Sequence, residues 1–313
     1  MKARTEAKAI SVSGLTKCYG RHVALVDVGF EVEAGETVAI LGPNGAGKTT
    51  TVEILEGFRR RSGGRVSVLG EDPWKAGRWW RARIGLVLQA TSLDEQLTVR
   101  EELGLYAGMY PSPRSVDEVM DLVGLAEKAD RRIGALSGGQ KRRVDLGLGI
   151  IGDPELLFLD EPTTGLDPAS RRAAWETVGR LCAGGTTVVL TTHYLEEAEE
   201  LADRVVVVAG GRVVADAPPE EVGALAGRGS LLRFPVPEAA GLPAGMVGAA
   251  TLEDGWATVR TDDLAPALGE LLEWAREQEA DLNRLTVSQP TLEDAYLALT
   301  TDADYEGTNH EDA

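Results

Sequence analysis

The stretch LGPNGAGKTT, residues 41–50, has the residue types and spacing that hold phosphate. It contains G-x-x-x-x-G-K-[ST] from Gly42 to Thr49, between an apolar run and a helical pattern, which is the context that this motif requires. The glycines let backbone N–H groups converge on phosphate oxygens, and the start of the following helix adds a positive field. We therefore expect Lys48 to reach the β- and γ-phosphates of a nucleotide and the Thr49 hydroxyl to bind Mg²⁺.

A second group of chemically useful residues lies in LLFLDEPTTGLDP, residues 156–168. Four apolar residues lead to Asp160, which places its carboxylate at the carboxyl end of a strand, where open α/β sheets bind their ligands. We expect Asp160 to hold Mg²⁺ through water and Glu161 to orient and polarise the attacking water. An apolar run ending in Asp-Glu is usually structural by itself, but together with the phosphate-binding loop it favours nucleotide hydrolysis.

Three single residues have both a functional and a structural interpretation. His193 follows the buried run TTVVLTT, so it could contact the γ-phosphate and the attacking water, or it could simply pack or cap. Gln89 ends the run RIGLVLQ and could reach Mg²⁺ or the water, or be a plain surface amide. Tyr19, in KCYG, offers either a half-buried ring at a turn or a flat face on which adenine stacks.

A second glycine turn occurs in ALSGGQ, residues 135–140, at the start of another helical pattern. Ser137, Gly138 and Gly139 would present the backbone N–H groups and positive end of that helix to an anion. A domain that already holds phosphate at residues 42–49 does not by itself need this second turn.

The elements that must position these residues alternate between strands and helices. Apolar runs typical of strands are VDVGFEVEAGETVAIL, RIGLVLQ, ELLFLDEP, TTVVLTTH and the hairpin-like RVVVVAGGRVVA. Helical patterns lie between them, which predicts a mostly parallel α/β sheet. The alternation in the first run places Val26, Val28, Phe30 and Val32 on one face. Residues 89–152 have a helix-rich composition and are expected to form a helical insertion.

The chain changes character after Pro218 and Pro219, which open a boundary region ending near residue 230. Beyond it, LLRFPV and WATVRT suggest short strands, and LAPALGELLEWAREQEA is an amphipathic helical pattern. PTLEDAYLALT repeats this pattern behind a capping box of Thr291 and Asp294. We expect a small α+β domain at 223–300 without a catalytic motif, followed by an acidic tail at 301–313 that its composition predicts to be disordered.

Composition restricts the functions that this chain can have. With 43% hydrophobic and 26% charged residues, it is typical of a soluble globular protein. No apolar run approaches the ~18 residues needed to cross a bilayer, so a membrane role would require a partner. The net charge of −18 is concentrated in residues 223–313, where 17 acidic residues face 5 arginines, which argues against nucleic acid or anionic lipid there. Cys18 and Cys182 lack metal-ligand spacing and indicate two free thiols.

Taken in order, these motifs resemble the nucleotide-binding subunits of ATP-binding cassette (ABC) transporters over residues 9–222. The resemblance implies a P-loop NTPase, α/β in class, with a RecA-like and mostly parallel sheet. It also implies an antiparallel β subdomain, a helical insertion at about residues 90–152 and the additional C-terminal α+β domain. The cofactors that it implies are ATP and Mg²⁺.

The resemblance assigns a role to each motif. For the nucleotide, the matching residues are Tyr19, Gly42, Pro43, Asn44, Gly45, Ala46, Gly47, Lys48, Thr49, Thr50, Ser137, Gly138, Gly139, Gln140 and Asp167. For catalysis they are Glu161, His193 and Gln89, and for Mg²⁺ they are Thr49, Gln89 and Asp160. In this family two subunits dimerise head to tail, and the signature LSGGQ of one completes the ATP site of the other. A homodimer that ATP closes is therefore expected.

Three further segments resemble those of exporter ATPases, so we expect the direction of transport to be export. EGFRRRSGGRVSVLGEDP, VDLGLGIIGDP and SQPTLEDAYLALT resemble the daunorubicin-resistance type of exporter ATPase. That group implies a separate integral-membrane permease, a peripheral position on the cytoplasmic face of the cell membrane, and export of drugs, antibiotics or other hydrophobic compounds. We expect the permease to contact the loop at Gln89 and the following residues 90–110.

Two alternatives from other functional classes are weighed against this expectation. Cassette ATPases that act on nucleic acid or the ribosome usually carry coiled coils, zinc motifs or a second cassette, and none of these occurs in this sequence. A non-catalytic regulatory cassette commonly loses one of the reacting groups, whereas Lys48, Asp160, Glu161 and His193 are all present.

Overall fold

The computed structural model describes residues 8–89, 93–225, 229–237, 241–246, 250–253, 255–288 and 291–307. The chain divides into two compact units, formed mainly by Met1–Pro219 and by Glu220–Asp302. Within the described ranges, no helix is long and apolar enough to span a bilayer.

The first unit holds two sheets with helices between and around their strands. Its strands are β1 (Lys8–Tyr19), β2 (His22–Glu33), β3 (Thr37–Leu41), β4 (Gly63–Val68), β5 (Ile84–Val87), β6 (Leu156–Asp160), β7 (Thr187–Thr191), β8 (Arg204–Ala209) and β9 (Arg212–Ala217). Its helices are α1 (Lys48–Leu55), α2 (Arg78–Arg81), α3 (Val99–Ala107), α4 (Val116–Leu122), α5 (Gly138–Ile150), α6 (Pro168–Ala183) and α7 (Leu195–Leu201), and α8 (Pro219–Leu225) follows at the boundary.

The larger sheet is mostly parallel, as the sequence predicts. Its six strands lie in the order β5-β6-β7-β3-β8-β9, and only β9 pairs in the antiparallel sense, in the predicted hairpin with β8. The strands β3 and β7 are buried at every position because helices and the second sheet cover both faces. The smaller sheet is antiparallel, in the order β2-β1-β4, and shares one hydrophobic core with the larger sheet.

The alternation predicted for β2 changes phase at one bulge. Two residues of β2, Val26 and Asp27, oppose Thr16 of β1 between the pairs Leu15–Val28 and Lys17–Leu25, and Asp27 has a φ of 55°. Leu25 therefore turns into the core and Val26 is only half-buried, whereas the sequence pattern placed Val26 in the core face. An alternating pattern cannot reveal an inserted residue, because both phases remain apolar on either side of it.

The helical insertion lies where the sequence places it. Between β5 and β6, the described residues form helices α3, α4 and α5 and no strand. Each helix starts at a hydroxyl cap, namely Thr98, Ser115 and Ser137, and each cap accepts a bond from a backbone N–H in the first turn. These caps fix where the three helices begin.

The second unit is a small α+β structure with its own core. Its strands are β10 (Ser230–Pro235), β11 (Ala250–Glu253), β12 (Trp256–Thr261) and β13 (Thr286–Ser288), and its helices are α9 (Leu264–Glu277) and α10 (Leu292–Gly307). The four strands form an antiparallel sheet in the order β11-β12-β10-β13. Phe234 and Trp274 meet edge to face in its core, with ring centroids 5.7 Å apart.

The acidic tail at 301–313 differs from the prediction that it is disordered. The capping box of Thr291 and Asp294 is formed, and α10 runs from it to Gly307, so the first residues of this tail are helical. No proline or glycine interrupts the sequence from Leu292 to Glu306, and acidic side chains do not by themselves stop a helix once it has started. Residues 308–313 lie outside the described residues.

Glu56, directly after α1, is a carboxyl group in the core of the first unit. Only 6% of the residue is exposed, and its burial, with smaller contributions from the charges of Asp160 and Glu53, raises the pKa of Glu56 to about 8. The folded state therefore keeps a proton that the unfolded chain loses near the ordinary pKa of 4.5. The contribution of Glu56 to the free energy of unfolding therefore falls as the pH rises from about 4.5 to about 8.

Glu56→Gln should make the first unit more stable at alkaline pH, because the amide cannot ionise in the core. We expect a gain of about 1–3 kcal/mol in the free energy of unfolding at pH 8.5, shrinking towards pH 5. Urea unfolding followed by tryptophan fluorescence at both pH values measures this difference. A difference between variant and wild type that is the same at both pH values would contradict the assigned pKa.

Candidate functional site

The predicted phosphate-binding residues open onto a cavity of about 420 Å³ at the carboxyl edge of the parallel sheet. The cavity brings Tyr19, Gln89, Asp160 and Glu161 together, although they are far apart in the sequence. The residues of the loop and α1 that line it are Asn44, Gly45, Gly47, Lys48, Thr49 and Thr50. His22 and Thr191 also line it, and neither was singled out from the sequence.

Two glycines of the loop are required by close packing. A Cβ atom on Gly42 would lie 2.1 Å from the carbonyl oxygen of Val208 in β8. Gly47 has a φ of 106°, and a Cβ there would lie 2.5 Å from Leu25 Cδ2. Any side chain at these positions would push the loop away from the strands that hold it, so the glycines fix its height above the sheet.

Lys48 starts α1 and is curled back onto the loop. Its Nζ donates to the carbonyl oxygens of Gly42 at 2.6 Å and Pro43 at 3.0 Å. Burial lowers the pKa of Lys48, while the carboxylates of Glu161 and Asp160 act in the opposite direction. This ammonium group lies at the N-terminus of a helix, so an incoming phosphate meets both a cation and free N–H groups.

The carboxylate of Asp160 and the hydroxyl of Thr191 are brought together by strand pairing. The parallel register of β6 and β7 places Asp160 beside Thr191, whose Oγ1 donates to Asp160 Oδ1 at 2.5 Å. The backbone N–H of Glu161 donates to the carbonyl oxygen of Thr191 at 3.0 Å, so the pairing continues one residue beyond β6. Sequence reasoning missed Thr191 because a threonine in a β-branched strand is not unusual.

Glu161 is the point at which three predicted catalytic residues meet. Its carboxylate accepts from Gln89 Nε2 at 3.2 Å, and its Oε1 lies 3.4 Å from His193 Nδ1. The hydroxyl of Thr164 donates to the same carboxylate at 3.1 Å. Glu161 also has a φ of 46°, a conformation that costs energy for a residue other than glycine and that turns its side chain away from the strand.

Tyr19 lies at the other end of the cavity, where β1 ends. Its hydroxyl is 3.4 Å from Thr50 Oγ1, and its ring is partly exposed. Two cations approach the ring, Lys17 Nζ at 4.8 Å and the Arg59 guanidinium at 5.2 Å from its centroid. The ring is thus a flat, electron-rich surface at the mouth of the cavity, suited to stacking on a planar base.

The predicted Mg²⁺ ligands fit the ion chemically. Thr49, Gln89 and Asp160 all line the cavity and offer a hydroxyl, an amide carbonyl and a carboxylate, the hard oxygen donors that Mg²⁺ prefers. Gln89 donates to Glu161 through Nε2, which leaves its Oε1 as the free acceptor. Within the described ranges, no group of three or more His, Cys, Asp or Glu side chains is arranged to hold a metal.

The signature residues lie apart from this cavity. Ser137 Oγ accepts from the N–H of Gln140, whose Oε1 in turn accepts from the N–H of Ser137, so both side chains cap α5. Gly138 has open space around it, and Gly139 packs against the Ser170 side chain. Among the described residues that line the 420 Å³ cavity, none comes from this turn.

Asp167 is also outside the cavity lining and caps another helix. Its carboxylate accepts from the N–H groups of Ala169 and Ser170, and from Ser170 Oγ at 2.6 Å. These bonds, those from Ser170 first, lower the pKa of Asp167. Asp167 and the signature turn therefore both contact Ser170, in one exposed group at the starts of α5 and α6.

Arg142, in the second turn of α5, connects the two groups, and sequence reasoning missed it. Its Nη1 donates to the carbonyl oxygen of Leu88 at 2.6 Å, next to Gln89, and its Nε donates to that of Pro162 at 2.8 Å. Its Nη2 donates to the carbonyl oxygens of Asp160 and Glu161, both at 3.1 Å. In the sequence, Arg142 is only one of three basic residues in KRR. Its hydrogen-bond partners are backbone carbonyl groups, which a sequence pattern does not identify.

Comparisons with known proteins agree with this geometry. Residues 25–164 match the family described as ABC transporter, and residues 230–291 match the C-terminal domain of ABC transporter domain-containing protein-like chains. The daunorubicin resistance ATP-binding protein DrrA3 of Streptomyces coeruleorubidus is 39% identical over 94% of this chain and 96% of its own. The Nod factor export ATP-binding protein I of Rhizobium sp. (strain N33) is 44% identical over 67% and 71%.

Solved structures share the fold of the first unit. The ATP-binding subunit of an ABC transporter has a TM-score of 0.63 and 29% identity, covering 70% of this chain and 93% of that one. A dimeric ATP-binding cassette, in a post-hydrolysis state with ADP and Pi bound, has a TM-score of 0.60 and 26% identity, covering 67% and 98%.

Arg142→Leu should reduce nucleotide hydrolysis much more than nucleotide binding. The variant leaves four carbonyl oxygens without their donor and frees the strand ends at Gln89 and Glu161, whereas Lys48 and the loop remain. We expect kcat to fall tenfold or more with a change in the nucleotide Kd below about threefold, and Arg142→Lys to recover part of kcat.

The matched control for this experiment is Arg143→Leu. Among the described residues, the neighbouring Arg143 side chain donates only to the carbonyl oxygen of Gly124, at 3.4 Å. Equal losses of kcat in the two leucine variants would show that Arg142 has no special positioning role.

Proposed function

The chain belongs to the family of ABC transporter ATP-binding subunits, of the drug-exporter type, and we propose from this premise that two copies bind ATP between them. It is an ATPase whose hydrolysis of ATP is linked to transport. The observation that carries the proposal is the separation of two phosphate-binding turns in one chain. Residues 44, 45 and 47–50 of the first turn line the cavity, whereas no residue of the turn at 137–139 is in its described lining.

Head-to-tail pairing would bring these two turns to the same nucleotide. The loop of one copy and the start of α5 of the other would then face the γ-phosphate from opposite sides, each with the positive end of a helix. Gly138, which has open space around it, lets the phosphate approach that second helix closely. The dimeric cassette with ADP and Pi bound, similar in fold to the first unit, supports this arrangement.

Binding uses the residues of the cavity in distinct roles. Lys48 exchanges its bonds to the carbonyl oxygens of Gly42 and Pro43 for bonds to phosphate oxygens, while the loop N–H groups bind the rest of the triphosphate. Tyr19 stacks on adenine, and Lys17 and Arg59 next to its ring add positive charge near the nucleotide. Thr49, Asp160 and Gln89 would hold Mg²⁺, which when bound would supply positive charge against the phosphates.

Hydrolysis depends on the side chains around Glu161. Its carboxylate orients the attacking water and accepts the proton that the water loses as its oxygen bonds to the γ-phosphorus, while the bond from that phosphorus to the oxygen bridging to the β-phosphate breaks and ADP leaves. Gln89 and Thr164 hold this carboxylate by hydrogen bonds, and His193, 3.4 Å away, contacts the γ-phosphate or the water. Loss of phosphate then removes the ligand that joins the two copies, and the dimer opens.

The transport partner would be a separate membrane permease that docks on the face next to Gln89. This face has a cavity of about 640 Å³, which we term the docking cavity and which lies between the end of α1, β5, α3 and α5. Phe58 and Leu88 expose apolar surface at this cavity, and two tyrosines, Tyr106 and Tyr110, also line it. A helix end from the permease would cover this apolar surface, which soluble proteins normally bury.

Docking to such a permease would put the chain on the cytoplasmic face of the cell membrane, as a peripheral subunit. The names of the relatives, daunorubicin resistance and Nod factor export, suggest that the exported compound is a drug, an antibiotic or another hydrophobic molecule. Residues 90–92 of the expected permease contact lie outside the described residues.

Glu161→Gln tests the catalytic role. The amide retains the shape and the hydrogen-bonding capacity towards Gln89 and Thr164 but accepts no proton, so ATP should bind normally and turnover should fall at least a hundredfold. The ATP-bound dimer should accumulate in size-exclusion chromatography with ATP and Mg²⁺. Turnover near the wild-type rate would remove Glu161 from this role.

Mixing two inactive variants tests the shared site. Ser137→Arg blocks the turn that a copy lends to its neighbour, and Lys48→Ala disables the loop that a copy keeps. Each homodimer should be inactive, but each mixed dimer contains one intact pair of half-sites. An equimolar mixture should therefore recover roughly a quarter of wild-type hydrolysis if the sites act independently. A mixture as inactive as either variant alone would contradict sharing between copies.

A further inference from the structure

The docking cavity contains a buried carboxyl group, that of Glu56, which the hydrolysis of ATP does not use. Glu56 lines the cavity with 6% of its surface exposed, and among the described residues its carboxyl group has no hydrogen-bond or ion-pair partner. Burying such a group without a partner is costly, and the cost is normally offset by a pairing group. Because Glu56 lines an open cavity, a molecule that binds in this cavity can supply the pairing group.

The other charges of the cavity point to a cation as the missing partner. Asp145 also lines it and is buried, with its Oδ2 3.8 Å from Arg142 Nη1. The one basic side chain in the lining, Arg81, belongs to an exposed residue. Because Asp145 is paired with Arg142 and Arg81 belongs to an exposed residue, the described lining supplies no cation to Glu56, whose pKa is raised mainly by burial.

The remaining lining suits a long side chain with an apolar stem. Ile84, Leu86 and Leu148 form apolar walls, and Phe58 is exposed at the cavity. Arginine and lysine both combine an aliphatic stem, which packs against such walls, with a charged end that bonds to a carboxylate. In a site closed to water, that bond is stronger than on an exposed surface.

We propose that Glu56 binds an arginine or lysine side chain that the docking helix of the permease inserts into this cavity. This inference rests on the docking proposed above and adds the charge that the partner must carry. The pairing makes Glu56 a specificity residue, because a permease helix with a neutral or acidic side chain at that position would leave the buried carboxyl group unpaired.

The test uses three short peptides of about 16 residues as probes. They are helical and leucine-flanked, and they differ only at the central position, which is Arg, Gln or Glu. Fluorescence anisotropy measures their binding to the full chain. We expect the Arg peptide to bind about tenfold more tightly than the Gln peptide, and the Glu peptide to bind most weakly. In Glu56→Gln, the Arg and Gln peptides should bind within about twofold of each other.

Two further variants separate the possible results. Glu53→Gln makes the same charge change one turn earlier on α1, outside the cavity lining, and should keep the preference for the Arg peptide. Phe58→Asp changes an exposed apolar residue of the cavity and should weaken all three peptides.

The other possible outcomes contradict either the role of Glu56 or docking in this cavity. Equal binding of the Arg and Gln peptides to the wild type, with both weakened by Phe58→Asp, would overturn the role of Glu56 but leave the docking site. A preference that disappears equally in Glu53→Gln would show a general charge effect and also overturn it. Peptides that do not bind, or that Phe58→Asp does not affect, would overturn docking in this cavity as well.

Discussion

The pairing of β6 with β7 is the interaction on which the arrangement of reacting groups depends. Its register sets Asp160 beside Thr191, and the N–H of Glu161 continues it with a bond to the Thr191 carbonyl oxygen. The chain then turns with a φ of 46° at Glu161, so that two consecutive carboxylates have different surroundings. One bonds to a hydroxyl at the strand end and the other to Gln89. A change of one residue in this register would separate them.

A second constraint holds the helical insertion to this edge of the sheet. The Arg142 guanidinium group donates hydrogen bonds to four backbone carbonyl oxygens, those of Leu88, Asp160, Glu161 and Pro162. Because these four acceptors are backbone groups, their positions do not depend on the neighbouring side chains. The Arg142 guanidinium group therefore helps to hold the start of α5 at the edge of the sheet. The same helix begins at the signature turn, which is the part of the chain that faces outward.

Much of the fold and of the candidate site could be predicted because the signals are local. A glycine-rich loop, an apolar run that ends in Asp160 and a capping serine each act within a few residues of sequence. Thr191 and Arg142 could not be predicted, because their partners lie some 20 to 50 residues away or are backbone groups. The bulge at Asp27 was not predicted because an inserted residue leaves the apolar composition of the strand unchanged. The helical residues at 301–307 were not predicted because the acidic composition of this segment does not show that the preceding helix continues into it.

Arg142 has a further consequence in the proposed dimer. Arg142 links the strand ends at the half-site that a copy retains to the helix that begins at the half-site it lends, so a movement of one would be passed to the other. Occupancy of one ATP site would then change the affinity of the second, and hydrolysis by such a pair would rise more steeply than linearly with ATP at low concentration. The communication between subunits is thus built into each chain before any partner is present.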